Sequence, residues 1–485
     1  MSFESLISDN ESDLIYSMNS FKIARLTKAY LKVHYSTLME KRQKPSLHSD
    51  WIDPEASFIV DRLQRAGFMT YLVGGCVRDL LAGIHPKDFD IATSASPEQV
   101  RKHVRGSYII GKRFPLVLVK RGTRQFEVAT FRRNALPEEL EGNDQSFVDN
   151  FYGSPQEDAQ RRDFTVNGLF YDPIKDELID YVDGIKDIEN GFIKMIGDPD
   201  QRLKEDPIRI LRAIRLSHKL RFSIEESLRL AIENHSQELN RSILPRKREE
   251  YFKLMRLDDP SLVFKELHDL KILEHILPTL ALLWDQGQNA SIIMHYLART
   301  QELSNDSTNT TQLMLPILLS LNKILNFPKK IQSSNFKQLN KENKNIDVLD
   351  ELNDNNLIIP VNKKQIQESS EMELNSNTIS IDPTSVFPDK NIDEFDLELS
   401  LKLIDSLFKL EWGLFKTEQQ ALFEAIDLLD QMQPLDNLLR KGTRRLKNFF
   451  SRENIPLALI MAKADYLFTG EQWIKIEALQ KQLEL

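Results

Sequence analysis

Two aspartates one residue apart, Asp88 and Asp90 in "KDFD", are the first residues whose types and spacing suggest chemistry. In a strand, positions i and i+2 share a face, so both carboxylates point one way and Phe89 points the other. Ionised carboxylates side by side repel each other unless a cation sits between them. Mg²⁺, which takes oxygen ligands and accompanies phosphates, is the natural one. Alone, an Asp-x-Asp is better explained by a solvated strand end. The upstream stretch "LVGGCVRD" changes that balance. Gly74-Gly75 stands where a strand passes into a helix, and a turn without side chains lets a phosphate approach backbone N–H groups and the helix N-terminus. Arg78 would project from that helix towards the same anion. By itself Gly-Gly reads as a tight turn; followed in order by Arg-Asp and Asp-x-Asp, it reads as a nucleoside-triphosphate site. A third carboxylate, Glu127 in "RQFEVATFR", lies on the strand face opposite Phe126, Val128 and Thr130. It is either exposed or a metal ligand, and a hairpin delivering it beside the aspartates favours the ligand. Such a set suits two-metal phosphoryl transfer, one ion activating an attacking hydroxyl and the other holding the triphosphate.

These residues need a scaffold, and the chain from about 55 to 190 supplies short alternating elements. "PEASFIVDRLQRAG" reads as an amphipathic helix ended by glycine, and "FMTYLVGG" as a strand. "VRDLLAG" is a helix stopped by Gly83, "FDIAT" a strand and "SPEQVRKHV" a helix with a Ser-Pro start. "FPLVLVKRGTRQFEVATF" is a hairpin turning near Arg121-Gly122. Beyond about 195 the pattern is helical. The stretch after about 330 is rich in Asn, Ser, Lys and Glu without a sustained period and reads as a poorly ordered insertion. The expected division is an N-terminal extension (1–54), a head (55–194), a helical neck (195–255), a helical body (256–329), a low-complexity insertion (330–396) and a C-terminal helical RNA-binding region (397–485). Within the extension, "FKIARLTKAYLKVHYSTLMEKRQK" has a basic helical pattern, read as a solvated helix ahead of an auxiliary RNA contact.

A chain of 485 residues exceeds one ordinary core. Its mean hydropathy is −0.39, with no run of about twenty apolar residues, so no membrane span is expected. One cysteine, Cys76, allows no internal disulfide and fits a reducing cytoplasm. A net charge of −9 argues against indiscriminate nucleic-acid binding while leaving room for a local basic face.

Five stretches, "LVGGCVRDLLAG", "KDFDIAT", "EVATFRRN", "EDAQRRDFTVNGLFYD" and "EDPIRILRAIRLSHKLRFSIEE", resemble in order the motifs of the class II nucleotidyltransferases, which comprise tRNA CCA-adding enzymes and bacterial poly(A) polymerases. The resemblance covers roughly 55–280. It implies an α+β fold, with a small mixed-sheet, polymerase β-like head followed by an all-helical neck, body and tail. It implies Asp88 and Asp90 as the metal pair, Glu127 as the third acidic residue, Asp163 as a further acidic candidate and Arg162 as a nucleotide contact. It also implies two Mg²⁺ ions, with Mn²⁺ a possible substitute. In "EDPIRILR" it places a protein template for the incoming base on a neck helix: Asp206 and Arg209, at i and i+3, with Arg212 a turn further on. Read without the family, that stretch is an ordinary i,i+3 ion pair. One departure is Gly168, where alanine is more usual.

"YIIGKRFPLVLV" resembles the Gly-basic-basic-Phe signature of the poly(A) polymerase branch, with Gly111, Lys112, Arg113 and Phe114 matching, and Arg246 in "SILPRKREEYFKLM" matches a motif arginine. The expected reaction is therefore addition of AMP from ATP to RNA 3′ ends, with a CCA-adding or A-adding tRNA enzyme as the alternative and an inactive RNA-binding protein as a third reading. The chain ends "KIEALQKQLEL" without the arginine-rich tail common in such polymerases. RNA phosphates would then be met in part by basic stretches, including Lys112, Arg113 and, in "RKGTRRLK", Arg444 and Arg445. RNA-decay partners are not readable from residues. "LHDL", with His268-Asp269, suggests an HD phosphohydrolase only superficially and reads as a helix-surface pair.

Overall fold

Helix starts in the head are set by short polar residues followed by proline. Asp53 accepts from the Glu55 N–H (2.8 Å) and Pro54 occupies the first turn of α1 (Pro54–Arg65), whose Ala56, Ile59, Val60 and Leu63 are buried at helical spacing. Ser96 and Gln99 form a reciprocal capping box at α3 (Pro97–His103). Ser154 and Glu157 do the same at α4 (Pro155–Gln160). A computed structural model of the chain describes residues 47, 49–111, 115–134, 151–304, 309–325, 403–433 and 435–482. The basic pattern in the N-terminal extension, Lys112, Arg113 and the 330–396 insertion lie outside the described residues.

The chain divides into two compact units, Met1–Asn190 and Gly191–Leu485. In the first, β1 (Thr70–Val73) leads into α2 (Gly75–Leu81), then β2 (Ile91–Thr93), α3, and strands β3 (Ser107–Ile110), β4 (Leu116–Arg121) and β5 (Arg124–Thr130). After α4 come β6 (Leu169–Asp172), β7 (Glu177–Asp180) and α5 (Gly184–Asn190). The seven strands form one sheet in the order β3-β4-β5-β2-β1-β6-β7. It is mixed: β2 runs parallel to β5, and the other neighbours are antiparallel. β4 and β5 are the expected hairpin, with Gly122 at φ +58° in its turn. Val117, Val119, Phe126 and Val128 are buried on one face of that hairpin. Val73, Ala92, Phe131, Ala159 and Phe170 form a second cluster, flanked by Tyr71, Ile179 and Val182.

The expected α+β head is thus present. Among its described residues the second unit is helical except for one short parallel pair, β8 (Phe192–Ile193) with β9 (Ser223–Ile224), which corrects the expectation of an all-helical remainder. Its first helices are α6 (Pro199–Glu205), α7 (Ile208–Leu220), α8 (Glu226–His235), α9 (Leu244–Met255) and α10 (Pro260–Asp269). Trp412, fully buried, stacks on Phe264 and meets Tyr251 and Phe252 edgewise or at a tilt, so the chain after residue 403 completes the core begun by α9 and α10. No helix among the described residues is long and apolar enough to cross a membrane.

Candidate active site

The aspartate pair precedes β2 and does not lie within it, a small correction to the strand expected over "FDIAT". The alternation nevertheless holds: Asp88 and Asp90 are exposed, and Phe89 between them is buried. Asp90 is fixed through its backbone, because its carbonyl accepts from the Val73 N–H (3.0 Å) and so continues the β1–β2 ladder. Glu127, exposed in the middle of β5, stands one residue before the parallel pair Val128↔Ile91. That register sets Glu127 beside Asp90.

Electrostatics bear out the proximity. Asp90 reaches solvent as a residue, yet protein atoms crowd its carboxyl, and burial is the main influence raising its pKa. Glu127 raises it further, Arg162 opposes, Asp88 raises it and Arg78 opposes. Four side chains singled out from the sequence, Glu127, Arg162, Asp88 and Arg78, therefore act on a fifth, Asp90, in the head.

The two arginines are held by partners that sequence reasoning missed. Arg78, 6% exposed, donates from Nη1 to Oδ1 of Asn167 (2.5 Å) and from Nε and Nη2 to Asp79 (2.9 and 2.6 Å). It is thus an internally bonded residue, where a free arm reaching for an anion was expected. Arg162 donates from Nε and Nη2 to Asp158 (3.2 and 3.0 Å) and from Nη1 to the Asn167 carbonyl (3.2 Å), with its guanidinium 5.5 Å from the Phe170 ring centre. Asp158, 2% exposed, also accepts from Arg161 and from the Arg132 N–H (3.1 Å). Burial disfavours its charge, but Arg162 and Arg161 outweigh burial and lower its pKa. The Asp158–Arg161–Arg162 spacing was readable as i,i+3 and i,i+4 pairing; the link from Arg78 to Asn167 was not.

Gly74 has a different task from the one expected. Its N–H donates to Leu169 (3.0 Å) within the sheet, and its backbone sits at φ +71°. A Cβ there would lie 2.7 Å from Nη1 of Arg162, so the missing side chain makes room for that guanidinium. At Gly75 a Cβ would meet nothing closer than Arg78 Nη2 at 3.6 Å. Asp163 caps the following turn, accepting from the Phe164 N–H (2.8 Å) and from Nδ2 of Asn167 (2.9 Å). Cys76 is buried with its thiol pushed up to about 12, chiefly by burial, which leaves it inert near neutrality.

In the second unit, Asp206 and Arg209 do not share a helix. Asp206 ends α6 in an extended conformation (φ −146°, ψ 92°), and α7 begins after Pro207. Asp206 instead forms a two-pronged pair with Arg246 (2.9 and 2.8 Å). Arg209 donates to the Arg202 carbonyl (2.6 Å) and to Glu205 (3.2 Å), and Arg212 lies 3.9 Å from Glu250. Arg444 and Arg445 are exposed on the helix Thr443–Phe450, above buried Leu446, Phe449 and Phe450. His268 pairs with Asp285 (2.7 Å) and Asp269 with Lys265 (2.5 Å), the surface pairing expected for that motif.

Asp88, Asp90 and Glu127 offer only hard oxygen donors, and their mutual repulsion is what a divalent cation would neutralise. As placed, no three acidic, histidine or cysteine side chains converge into a ready-made metal cluster among the described residues. The donor chemistry fits Mg²⁺.

Residues 70–194 match the family model described as the poly A polymerase head domain, and residues 221–283 match one described as the probable RNA and SrmB-binding site of polymerase A. Poly(A) polymerase I of Salmonella typhi is 38% identical over 253 residues, 51% of this chain and 54% of that protein. A CCA-adding enzyme of Lactobacillus helveticus is 38% identical over 197 residues, 40% of this chain and 48% of that one. The chain thus spans about half the length of the curated relatives it matches. The crystal structure of the Bacillus stearothermophilus CCA-adding enzyme in complex with CTP superposes with a TM-score of 0.56 at 20% identity, covering 90% of this chain and 84% of that one, and shows a shared fold. The matched segments are similar to those of poly(A) polymerases and of CCA-adding enzymes, and the fold is shared with a CCA-adding enzyme.

Proposed function

We propose that this chain is a template-independent polynucleotide adenylyltransferase that adds AMP from ATP to RNA 3′ ends and releases pyrophosphate. The observation that carries the reading is the register bringing Glu127 beside Asp90, with Asp88 on the same exposed side. A binding module has no use for three carboxylates set together, with Glu127 and Asp88 adding to the burial that raises the pKa of Asp90. In the reaction the RNA 3′-oxygen forms a bond to the α-phosphorus, the bond from that phosphorus to the bridging oxygen breaks, and the hydroxyl proton is lost. Asp88, Asp90 and Glu127 would hold two Mg²⁺ ions, or Mn²⁺ in their place. Bound there, the metal supplies a lowered hydroxyl pKa and charge neutralisation on the leaving pyrophosphate.

The remaining tasks belong to the protein. Arg162, oriented by Asp158 and the Asn167 carbonyl, sets a fixed positive charge opposite Asp90 where triphosphate charge is received. Arg78 and Asp163 act through Asn167, which joins them. We assign base choice to Asp206, Arg209 and Arg212, and RNA phosphate contact to Arg444 and Arg445 with Lys112, Arg113 and Arg246. The cytoplasm is the compartment we propose, since both substrates are found there.

The second reading, a CCA-adding tRNA enzyme, is supported by the 38% identity to the Lactobacillus protein. The adenylyltransferase is favoured by the longer match to poly(A) polymerase I at the same identity. Substitution of Asp88 by alanine, and separately of Asp90 by asparagine, tests the assignment common to both. Incorporation of labelled AMP should vanish while the far-ultraviolet dichroism stays unchanged. Retained incorporation in both variants would sink the carboxylate assignment.

A further inference from the structure

One row of side chains crosses the sheet of the head from the carboxylates to an exposed aromatic ring. β4 pairs Leu118 with Glu127 on one side and with Tyr108 of β3 on the other. Asp90 lies next in the row, beside Glu127. Directly paired residues project from the same face, so Tyr108, Leu118, Glu127 and Asp90 share one. Their sequence neighbours Val117, Val119 and Val128 are buried on the other. With strands about 4.8 Å apart, Tyr108 lies about 10 Å from Glu127 and about 14 Å from Asp90.

This row is the edge of a patch. Ile110 pairs with Leu116, and Lys120 with Gln125, all on the same face. Tyr108 is 57% exposed and Ile110 42%, and Leu116 and Leu118 are half-buried between them and the carboxylates. The Lys120 ammonium lies 5.7 Å from the centre of the Tyr108 ring. An aromatic ring, an aliphatic floor and one cation thus lie on the side where the candidate site opens.

We propose that this patch is a stacking platform for bases of the RNA strand a few nucleotides upstream of its reacting 3′ end. The inference rests on the adenylyl-transfer reading, which requires the 3′-hydroxyl to reach Asp88 and Asp90. The preceding nucleotides must then leave the site along some path, and the row through Leu118 to Tyr108 is continuous with it. At about 3.4 Å per stacked nucleotide, 10 to 14 Å corresponds to roughly three or four nucleotides. A tyrosine face accepts any base, which suits an RNA end of unspecified sequence, and Lys120 supplies charge complementary to the phosphodiester.

The test is fluorescence anisotropy of the full chain with a labelled octa-adenylate ending in a 3′-deoxynucleotide, without ATP. Tyr108→Phe should bind as the unaltered chain does. Tyr108→Ala and Tyr108→Leu should bind about 5- to 150-fold more weakly, the range for loss of one base–aromatic stack; the leucine variant preserves apolar bulk on the strand. In extension assays the KM for an octanucleotide primer should rise, while the KM for ATP and the KM for a dinucleotide primer stay unchanged. Unchanged RNA binding by both variants would overturn the platform, as would a rise in the ATP KM in place of the primer KM. Tyr108-dependent RNA binding in a chain that transfers no AMP would overturn the adenylyl-transfer reading and leave the platform standing. Normal transfer with unaltered RNA binding would do the reverse.

Discussion

Replacing Gly74 by alanine isolates what the glycine turn is for. The backbone there, φ +71° and ψ −121°, is one that a side chain adopts at a cost of about 1–3 kcal/mol. For a domain of this size, at about 3 °C per kcal/mol, the thermal midpoint should fall by about 3–9 °C. The new Cβ would also lie 2.7 Å from Nη1 of Arg162 and would displace that guanidinium from the Asn167 carbonyl, which it now meets at 3.2 Å. Losing one positioned hydrogen bond from a charged donor is worth about 1.5–3 kcal/mol, or roughly 10- to 150-fold in AMP incorporation. Gly75→Ala is the internal control: its Cβ meets only Arg78 Nη2 at 3.6 Å, and it opens α2, where alanine suits the helix better than glycine. Thermal unfolding followed by dichroism, with steady-state incorporation on the same samples, reads both effects. Equal behaviour of the two variants would refute the reasoning, because it rests on the difference between the two positions.

Three further outcomes follow from pairings in the structure. Glu411, in the π-helical turn Ser406–Glu411, is raised to about 7 by burial, against hydrogen bonds from Thr279 and Ser406 and the charge of Lys247. Its folded pKa exceeds its unfolded value, so the ionised form penalises the fold. Stability of the second unit should therefore fall as pH rises from about 4.5 to about 7, by about 3 kcal/mol at most. Glu411→Gln should flatten that slope and raise the thermal midpoint at pH 8; an unaltered slope in the variant contradicts the assignment. Asp158→Ala leaves Arg161 and Arg162 without their shared buried carboxylate and should cost about 3–5 kcal/mol, read by urea unfolding; a loss below about 1 kcal/mol would show that the pair is not holding the head together. Arg209→Ala should weaken the preference for ATP over UTP more than it slows AMP transfer, and an unchanged ratio of kcat/KM for the two nucleotides counts against a role in base choice.

Much of the head was legible because its signals are local. Ser96-Pro97, Arg121-Gly122 and the alternation around Phe126, Glu127 and Val128 each depend on neighbours within a few residues, and each stands where it was read. The break at Asp206 was also signalled, since a residue before proline avoids the helical region, and Pro207 follows it. The spacing of Asp206 and Arg209 predicts a shared helix face, and Pro207 between them overrides it. What could not be read is set by strand register and by side chains far apart in sequence. Arg78 meets Asn167 across 89 positions, and no period or spacing announces such a bond. Tyr108 joins the row of Glu127 only through two strand pairings whose offsets depend on turns and packing.

The central claim is the reaction itself, and primer extension by the purified chain with Mg²⁺ tests it most directly. ATP and CTP are offered separately to an unstructured oligoadenylate and to a tRNA lacking its CCA end. The account predicts long ladders on the oligoadenylate with ATP and no use of CTP. Additions of CTP and then ATP that stop on the tRNA would contradict it and assign the chain to the CCA-adding branch.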